Sequence, residues 1–412
     1  MSLLDGARLL HRIEILAAIS APGPGVTRLA YSDEDAEARE LVAGWMREAG
    51  LFVTVDPVGN VVGRSVGDAN LGLLGLGSHL DSVVEAGALD GAYGVVAAIE
   101  VAAALQGRVK PSGKGIVVVA FSNEEGARGS LPMIGSLAFI GQLDRGTLDE
   151  PDDEGVSVAT RLRAHGGRPD EVRLGSMTAP PGLDAFLELH IEQGPILEAE
   201  GVELGVVEVI TGRTSLEVVL VGRSSHAGTT PMNRRADALV AAARLIVAVE
   251  NLARSGTVPV ATVGYLDAAP NMRNVIPGLV TLAVDLRDTD KARLERTVDI
   301  VGAAAAEIGA ETGVAIKVRT TSVVEPTRTD PGICDAFQDA ARKQHASVIT
   351  MASGAGHDAQ IVARAVPIGL LFVPSEDGIS HSPLEHTRAE DLVRGADVLM
   401  QTCVELLELI GE

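Results

Sequence analysis

The chain of 412 residues carries a formal net charge of −22, which argues against nucleic acid as a partner but does not fix the local sign of a catalytic site. Hydrophobic residues make up 46% and aromatics only 2%, so a large core must be assembled from Ala, Val, Leu and Ile. Two cysteines, Cys334 and Cys403, are too few for a disulfide framework and fit a reducing compartment.

The N-terminus carries Asp5 and Glu14 in place of a basic-then-apolar leader, and no apolar run reaches spanning length. A cytoplasmic protein that does not enter membranes is expected. The length predicts two domains. Residues 1–20 read as an amphipathic helix, with Leu9, Leu10, Ile13, Leu16 and Ile19 near helical spacing. A second helix covers 33–49 and stops at Gly50, a C-cap. Strands follow at 51–55 and 61–64. The Gly-rich apolar run 71–78 leads into His79 and Asp81, a helix covers 94–107, and the Val-rich run 115–121 reads as a buried strand. Residues 144–185 are acidic and rich in Gly and Pro, a surface excursion with one short helix, before a strand at 187–191. This alternation predicts an α/β sheet covered by helices.

Past Gly212 the pattern changes. Strand 216–221, helix 236–253, strands 258–265 and 279–285, helix 292–312 and strand 316–324 give the order β-α-β-β-α-β of a split βαβ sandwich. The α/β character returns after Pro326, through 362–372 and a final helix from Arg388. The predicted organisation is a mixed-sheet catalytic domain, 1–212 and 328–412, interrupted by an α+β insertion, 213–327.

Acids and histidines cluster at or just after the ends of apolar runs: GSHLDS at 77–82, LDG at 89–91, NEEG at 123–126, ELHIEQG at 188–194 and GISHSP at 378–383. Open α/β sheets bind ligands at the carboxyl ends of their strands. Each segment alone reads as a structural histidine or a solvated acidic turn; five together point to a shared site. Imidazoles and carboxylates without cysteine suit zinc or manganese, and a pair of ions needs five or six donors with one bridging carboxylate. His79, Asp90, Glu125, His190 and His381 make such a set. Asp81, two residues past His79, is expected to hold that ring's other nitrogen. Glu124, beside a ligating Glu125, is the candidate general base. In the insertion, SSHAGTTPMNRR at 224–235, NMRNVIPG at 271–278 and DLRD at 285–288 form a second polar cluster. There His226 is a candidate oxyanion donor and Arg287 a candidate carboxylate clamp, although spacing alone favours a salt bridge from Arg287 to Asp285 or Asp288.

In order along nearly the whole chain, GSHLDS, LDG, EEG, LHIEQGPILE, HAGTTPM, NVIPG, SGAGHDA and GISHSPLEHT resemble the hydantoinase/carbamoylase amidases of the M20 metallopeptidase clan. That group includes N-carbamoyl-L-amino acid hydrolases, β-ureidopropionases and allantoate amidohydrolases. The resemblance implies that His79 and His190 bind one divalent ion (Zn, or Mn, Co or Ni), that Glu125 and His381 bind a second, and that Asp90 bridges them. It makes Glu124 the base and His226 the oxyanion donor, reaching into the partner subunit's site. Asn274 and Arg287 would hold a free substrate carboxylate, with Arg213 a weaker candidate, and Gln193 would face the ureido group. Gly354, Gly356, His357 and Asp358 would line the pocket. The insertion would be a lid and join a homodimer. Ala86-Gly87 replaces the family's usual Gly-Gly, and Ala127-Arg128-Gly129 replaces its Ser-Arg-Phe; both put substrate choice in doubt. The leading expectation is hydrolysis of an N-carbamoyl-L-amino acid, with allantoate or N-carbamoyl-β-alanine as alternatives. Dipeptide or N-acyl hydrolysis is disfavoured because Gln193 suits a ureido group better than an acyl chain. A non-enzymatic binding protein would need a lost ligand or base, and none is missing.

Overall fold

The computed structural model describes residues 4–68, 70–109 and 113–407; residues 1–3 of the predicted first helix lie outside them. The chain divides into two units, one running to Glu208 and resuming at Arg328, the other Val209–Thr327. In chain order the strands are β1 (Phe52–Val55), β2 (Val61–Arg64), β3 (Leu73–His79), β4 (Gly115–Phe121), β5 (Leu183–Ile191), β6 (Leu204–Ile210), β7 (Gly212–Val221), β8 (Ser225–His226), β9 (Val260–Ala269), β10 (Val275–Ile276), β11 (Leu279–Asp288), β12 (Ala315–Val324), β13 (Thr327–Arg328), β14 (Val348–Ser353) and β15 (Ile368–Val373).

The first unit is built on a mixed sheet ordered β1-β2-β4-β3-β5-β15-β6-β13, with β14 paired to β6. Its centre, β4-β3-β5-β15, is parallel. β2 and β6 flank it antiparallel. β3, β4 and β15 are buried at every residue, which is why they read as unbroken apolar runs rather than alternating ones. Helices Gly6–Ala17, Asp33–Glu48, Ala92–Ala104 and Ala389–Leu406 share one aliphatic core with this sheet, through residues such as Leu9, Met46, Val96 and Leu399. Each fully buried Leu or Val stabilises the fold by roughly 1.5–3 kcal/mol. Glu100 is completely buried within that core. It is neutralised by Arg8 and Arg12 at 2.7 and 2.8 Å, without which a buried carboxylate would be strongly destabilising.

One packing detail sets up the chemistry. Helix Ala92–Ala104 lies so close to β5 that a Cβ on Gly94 would sit 2.3 Å from the Leu189 carbonyl oxygen. Only glycine permits that approach. It brings the helix N-terminus, with Asp90 and Gly91 just before it, over the strand ends.

The second unit is a four-stranded antiparallel sheet ordered β12-β7-β11-β9. Counted along the chain, its strands run 4-1-3-2. Helices Ala238–Arg254 and Lys291–Thr312 cover one face, where Leu216, Val218 and Leu220 of β7 are buried. The other face alternates outward, as a half-buried sheet should. β8 and β10 form a separate two-stranded ribbon.

The sequence reading lacked β6, β14 and the helix Pro331–Lys343, and also the short helices Ile134–Phe139, Ile196–Glu200 and Asp358–Val362 and the two-residue strands β8, β10 and β13. The acidic excursion holds the short helix Val158–Ala164 and also two 3-10 turns, Arg145–Asp149 and Pro169–Glu171. Among the described residues no helix is long and apolar enough to cross a membrane.

Candidate active site

The parallel strands β4, β3, β5 and β15 all end on one edge of the sheet, where open α/β sheets bind ligands. His79 is the last residue of β3 and pairs in register with Phe121, the last of β4, after which the chain runs on to Glu124 and Glu125. His190 lies one residue from the end of β5, opposite Phe372 of β15. Asp90 precedes the helix at Ala92, and His381 follows β15.

Three imidazoles converge on the single carboxylate of Asp90. His79 Nε2 and His190 Nε2 lie 3.6 and 3.2 Å from Oδ1, and His381 Nε2 lies 3.0 Å from Oδ2. Glu125 Oε1 is 3.4 Å from His381 Nε2, and Glu124 Oε2 is 3.9 Å from His79 Nε2. Among the described residues the potential ligand atoms form four overlapping groups: His79–Asp90–His190 and Asp90–Glu125–His381, which share Asp90, and also His79–Glu124–Glu125 and Glu188–His190–His357. His79 Nδ1 is 2.9 Å from the Asp81 carbonyl and His190 Nδ1 is 2.9 Å from the Ile191 carbonyl. Each contact makes Nδ1 a donor to a carbonyl and turns Nε2 toward Asp90, the nitrogen a metal ion would take on displacing its proton. This donor set fits a pair of divalent cations.

The acids and bases are strongly perturbed. Burial disfavours the charged form of Asp90, yet hydrogen bonds with His190, His381 and His79 outweigh it and hold the carboxyl well below its usual range. Asp90 and Glu125 raise His381 to about 10. Burial, with Glu125, Asp358 and Asp81 adding to it and His79 opposing, pushes Glu124 well above the ordinary carboxyl range. A carboxylate that takes up a proton readily is suited to shuttling one.

Asp81 requires a correction. Its backbone carbonyl, not its carboxylate, meets His79. The carboxylate instead accepts the backbone N–H groups of Glu124 and Glu125, at 3.0 and 3.2 Å. Asp81 therefore anchors the strand-end turn that carries both glutamates. Asn123, just before them, has φ +56°, and Gln193 and His381 have φ +57° and +55°. Left-handed backbone at non-glycine residues costs on the order of 1 kcal/mol each, and such strain gathers at functional sites. Gly91, φ +64°, leaves no room for a Cβ, which would sit 2.4 Å from the His79 ring.

Gln193 Nε2 donates to Asp90 Oδ2 at 2.8 Å, while its Oε1 is buried and has no hydrogen-bond partner among the described residues. Of the loop expected at the pocket, Gly356 is exposed and His357 is buried. It is 2% exposed, packs edge-on against the His190 ring at 4.7 Å, and bonds Ser353 Oγ through Nε2 at 2.9 Å. Asp358 is buried as well. His357 thus packs directly on a candidate ligand ring.

In the second unit, β8 pairs with β10 so that His226 lies opposite Val275, and the Ala227 N–H donates to the Asn274 carbonyl. His226 Nδ1 accepts the N–H groups of Gly228 and Thr229, at 3.1 and 3.2 Å. The ring hydrogen therefore sits on Nε2, pointing away from the turn as a donor. Arg287 of β11 lies directly opposite Arg213 of β7 and is paired with Asp285, Nε to Oδ1 at 2.8 Å, the contact that spacing alone favoured.

The model for peptidase family M20/M25/M40 matches residues 75–405. The N-carbamoyl-L-amino-acid amidohydrolase of Paenarthrobacter aurescens is 41% identical over 399 residues, covering 96% of each chain. The allantoate deiminase of Arabidopsis thaliana is 34% identical over 412 residues, 92% of this chain and 78% of that protein. A hydantoinase/carbamoylase family amidase from Burkholderia multivorans superposes with a TM-score of 0.88 at 37% identity, over 99% of this chain and 98% of that one. The chain belongs to the M20 family, as a hydantoinase/carbamoylase-type amidase.

Sequence reasoning passed over a buried acid beneath the ligands. Glu188, two residues before His190 on β5, is fully buried. Its carboxylate accepts the Ser78 hydroxyl at 2.7 Å and the Ala359 N–H at 2.9 Å, tying β3, β5 and the His357 loop together. The signal was a lone acid inside an apolar run, which is costly unless partnered.

Proposed function

We propose that this M20 chain hydrolyses the ureido C–N bond of an N-carbamoyl-L-amino acid, giving the amino acid, ammonia and carbon dioxide. The observation that carries the reading is the pair of ligand sets sharing Asp90, with Glu124 beside His79. The name of the Paenarthrobacter relative supplies the substrate class. His79 and His190 would hold one ion, Glu125 and His381 the other, with Asp90 bridging. Zn, Mn, Co or Ni suits such donors. When bound, the ions supply a polarised carbonyl and an acidified water. Glu124 takes the proton of the attacking water and returns it to the leaving nitrogen. His226 donates its Nε2–H to the developing oxyanion. Gln193 Oε1 is placed to accept a ureido N–H. Asn274 and Arg287 hold the free carboxylate, with Arg213 beside Arg287 and the Gly356 backbone toward the substrate. The inserted unit acts as lid and homodimer interface, and the protein works in the cytoplasm on small molecules, without nucleic acid or membrane.

Allantoate is the second reading, favoured by the Arabidopsis allantoate deiminase, and it shares the ureido group. A panel of N-carbamoyl-L-amino acids, their amides, allantoate and dipeptides, scored by ammonia or amine release, separates the readings. Arg287→Lys keeps the charge but loses the planar fork. It is expected to lower kcat/KM on carbamoyl amino acids about 10–100-fold, the loss of one charge-assisted hydrogen-bond pair. Wild-type rates that are equal on the acids and their amides would remove the clamp from the account.

A further inference from the structure

The GISHSPLEHT segment contributes His381, but a second acid in it is untouched by the mechanism. Glu385 is buried, and its carboxylate reaches 295 residues back along the sequence. Oε1 accepts two adjacent backbone N–H groups, Leu89 at 2.8 Å and Asp90 at 3.1 Å. Oε2 accepts the Ser380 hydroxyl at 2.8 Å, and that same hydroxyl lies 3.0 Å from Asp90 Oδ2. The preceding turn is shaped to admit this side chain, because a Cβ on Gly87 would fall 2.2 Å from Glu385 Oε1.

The geometry points to Glu385 as the positioning residue of the bridging carboxylate: it anchors the Leu89–Asp90 turn through its backbone and draws the Ser380 hydroxyl away from Asp90 Oδ2. This inference rests on the two-ion reading of the site. A hydroxyl has one hydrogen, so Ser380 can donate to Glu385 or to Asp90, but not to both. While Glu385 is an acceptor-only carboxylate, it competes for that hydrogen and spares Oδ2, which already accepts from Gln193 Nε2, a further donor opposing the Glu125–His381 set. An amide in its place would turn the competition round. The amide oxygen could still accept from Leu89 and Asp90, but the NH2 would donate to Ser380 and drive the Ser380 hydrogen onto Asp90 Oδ2. Groups that orient metal ligands from behind typically contribute 10–100-fold in affinity.

The test is Zn2+ binding by the full-length protein, measured by competition with a chromophoric chelator, alongside unfolding temperatures in excess chelator. Glu385→Gln is expected to weaken one of the two Zn2+ sites about 10–100-fold, leaving the other and the metal-free unfolding temperature close to wild type. Glu385→Ala, which releases the turn as well, should weaken both. Adding Ser380→Ala to Glu385→Gln should restore much of the lost affinity, because the competing hydroxyl is gone. Wild-type affinity at both sites in a folded Glu385→Gln protein would overturn the inference while leaving the two-ion reading intact. So would equal weakening of both sites with a lowered metal-free unfolding temperature and no rescue by Ser380→Ala, the signature of a merely structural role. Fewer than two Zn2+ on the wild-type chain would overturn the inference and the two-ion reading together.

Discussion

Glu124→Gln is expected to lower kcat by about 10²–10⁴, the usual contribution of a general base, while both ions stay bound. The asymmetry with its neighbour follows from how the turn is held. Asp81 grips the backbone N–H groups of both glutamates and fixes the turn from which both side chains enter the site. Glu125 heads for His381 and Glu124 for His79. Glu125→Gln should therefore lose ion occupancy at the His381 set, and lose activity only as a consequence. Metal content per chain and ammonia release, measured on the same preparations, check both halves. If the two variants lose ions and rate in the same proportions, the division of roles is wrong.

A mixture of two dead proteins should recover activity if His226 is supplied across a dimer. His226 Nε2 is left as the donor by the Gly228 and Thr229 amides, and removing one such oxyanion donor costs about 10²–10³ in kcat. Under that proposal, His226→Ala subunits combined with Glu124→Gln subunits give a mixed dimer with one doubly defective site and one intact site. Random exchange makes half the dimers mixed, so about a quarter of wild-type activity is expected. With His226 serving its own chain, every site keeps one defect and the mixture stays inactive. Subunit exchange, confirmed by differently tagged chains, makes either outcome decisive.

The sequence carried the site more fully than its supports. His79, Asp90, Glu125, His190 and His381 were legible because each falls in a short motif at the edge of an apolar run, and the parallel strands gather those edges. The insertion was legible too, because its helices and strands keep clean 3.6 and 2 periodicities. β6 was not: its Val/Glu alternation follows a five-residue helix, and its partner β15 is contributed from more than 150 residues later. Asp81 was misread, and Glu188 and Glu385 were passed over, for a related reason. Whether a polar side chain meets a ring, a backbone N–H or a buried face depends on hydrogen bonds between distant segments, and no spacing encodes these. Spacing did identify Asp285 as a partner for Arg287, since residues two apart on a strand share a face.

The most direct test of the account is metal reconstitution on the proposed substrate. The protein is stripped with a chelator, dialysed, and titrated separately with Zn2+, Mn2+, Co2+ and Ni2+, following ions bound per chain and ammonia released from an N-carbamoyl-L-amino acid. The convergence of His79, His190 and His381 on Asp90 predicts loss of activity on stripping and its return with at least one of these ions as two are bound per chain. Undiminished ammonia release from a preparation with no detectable ion would contradict it.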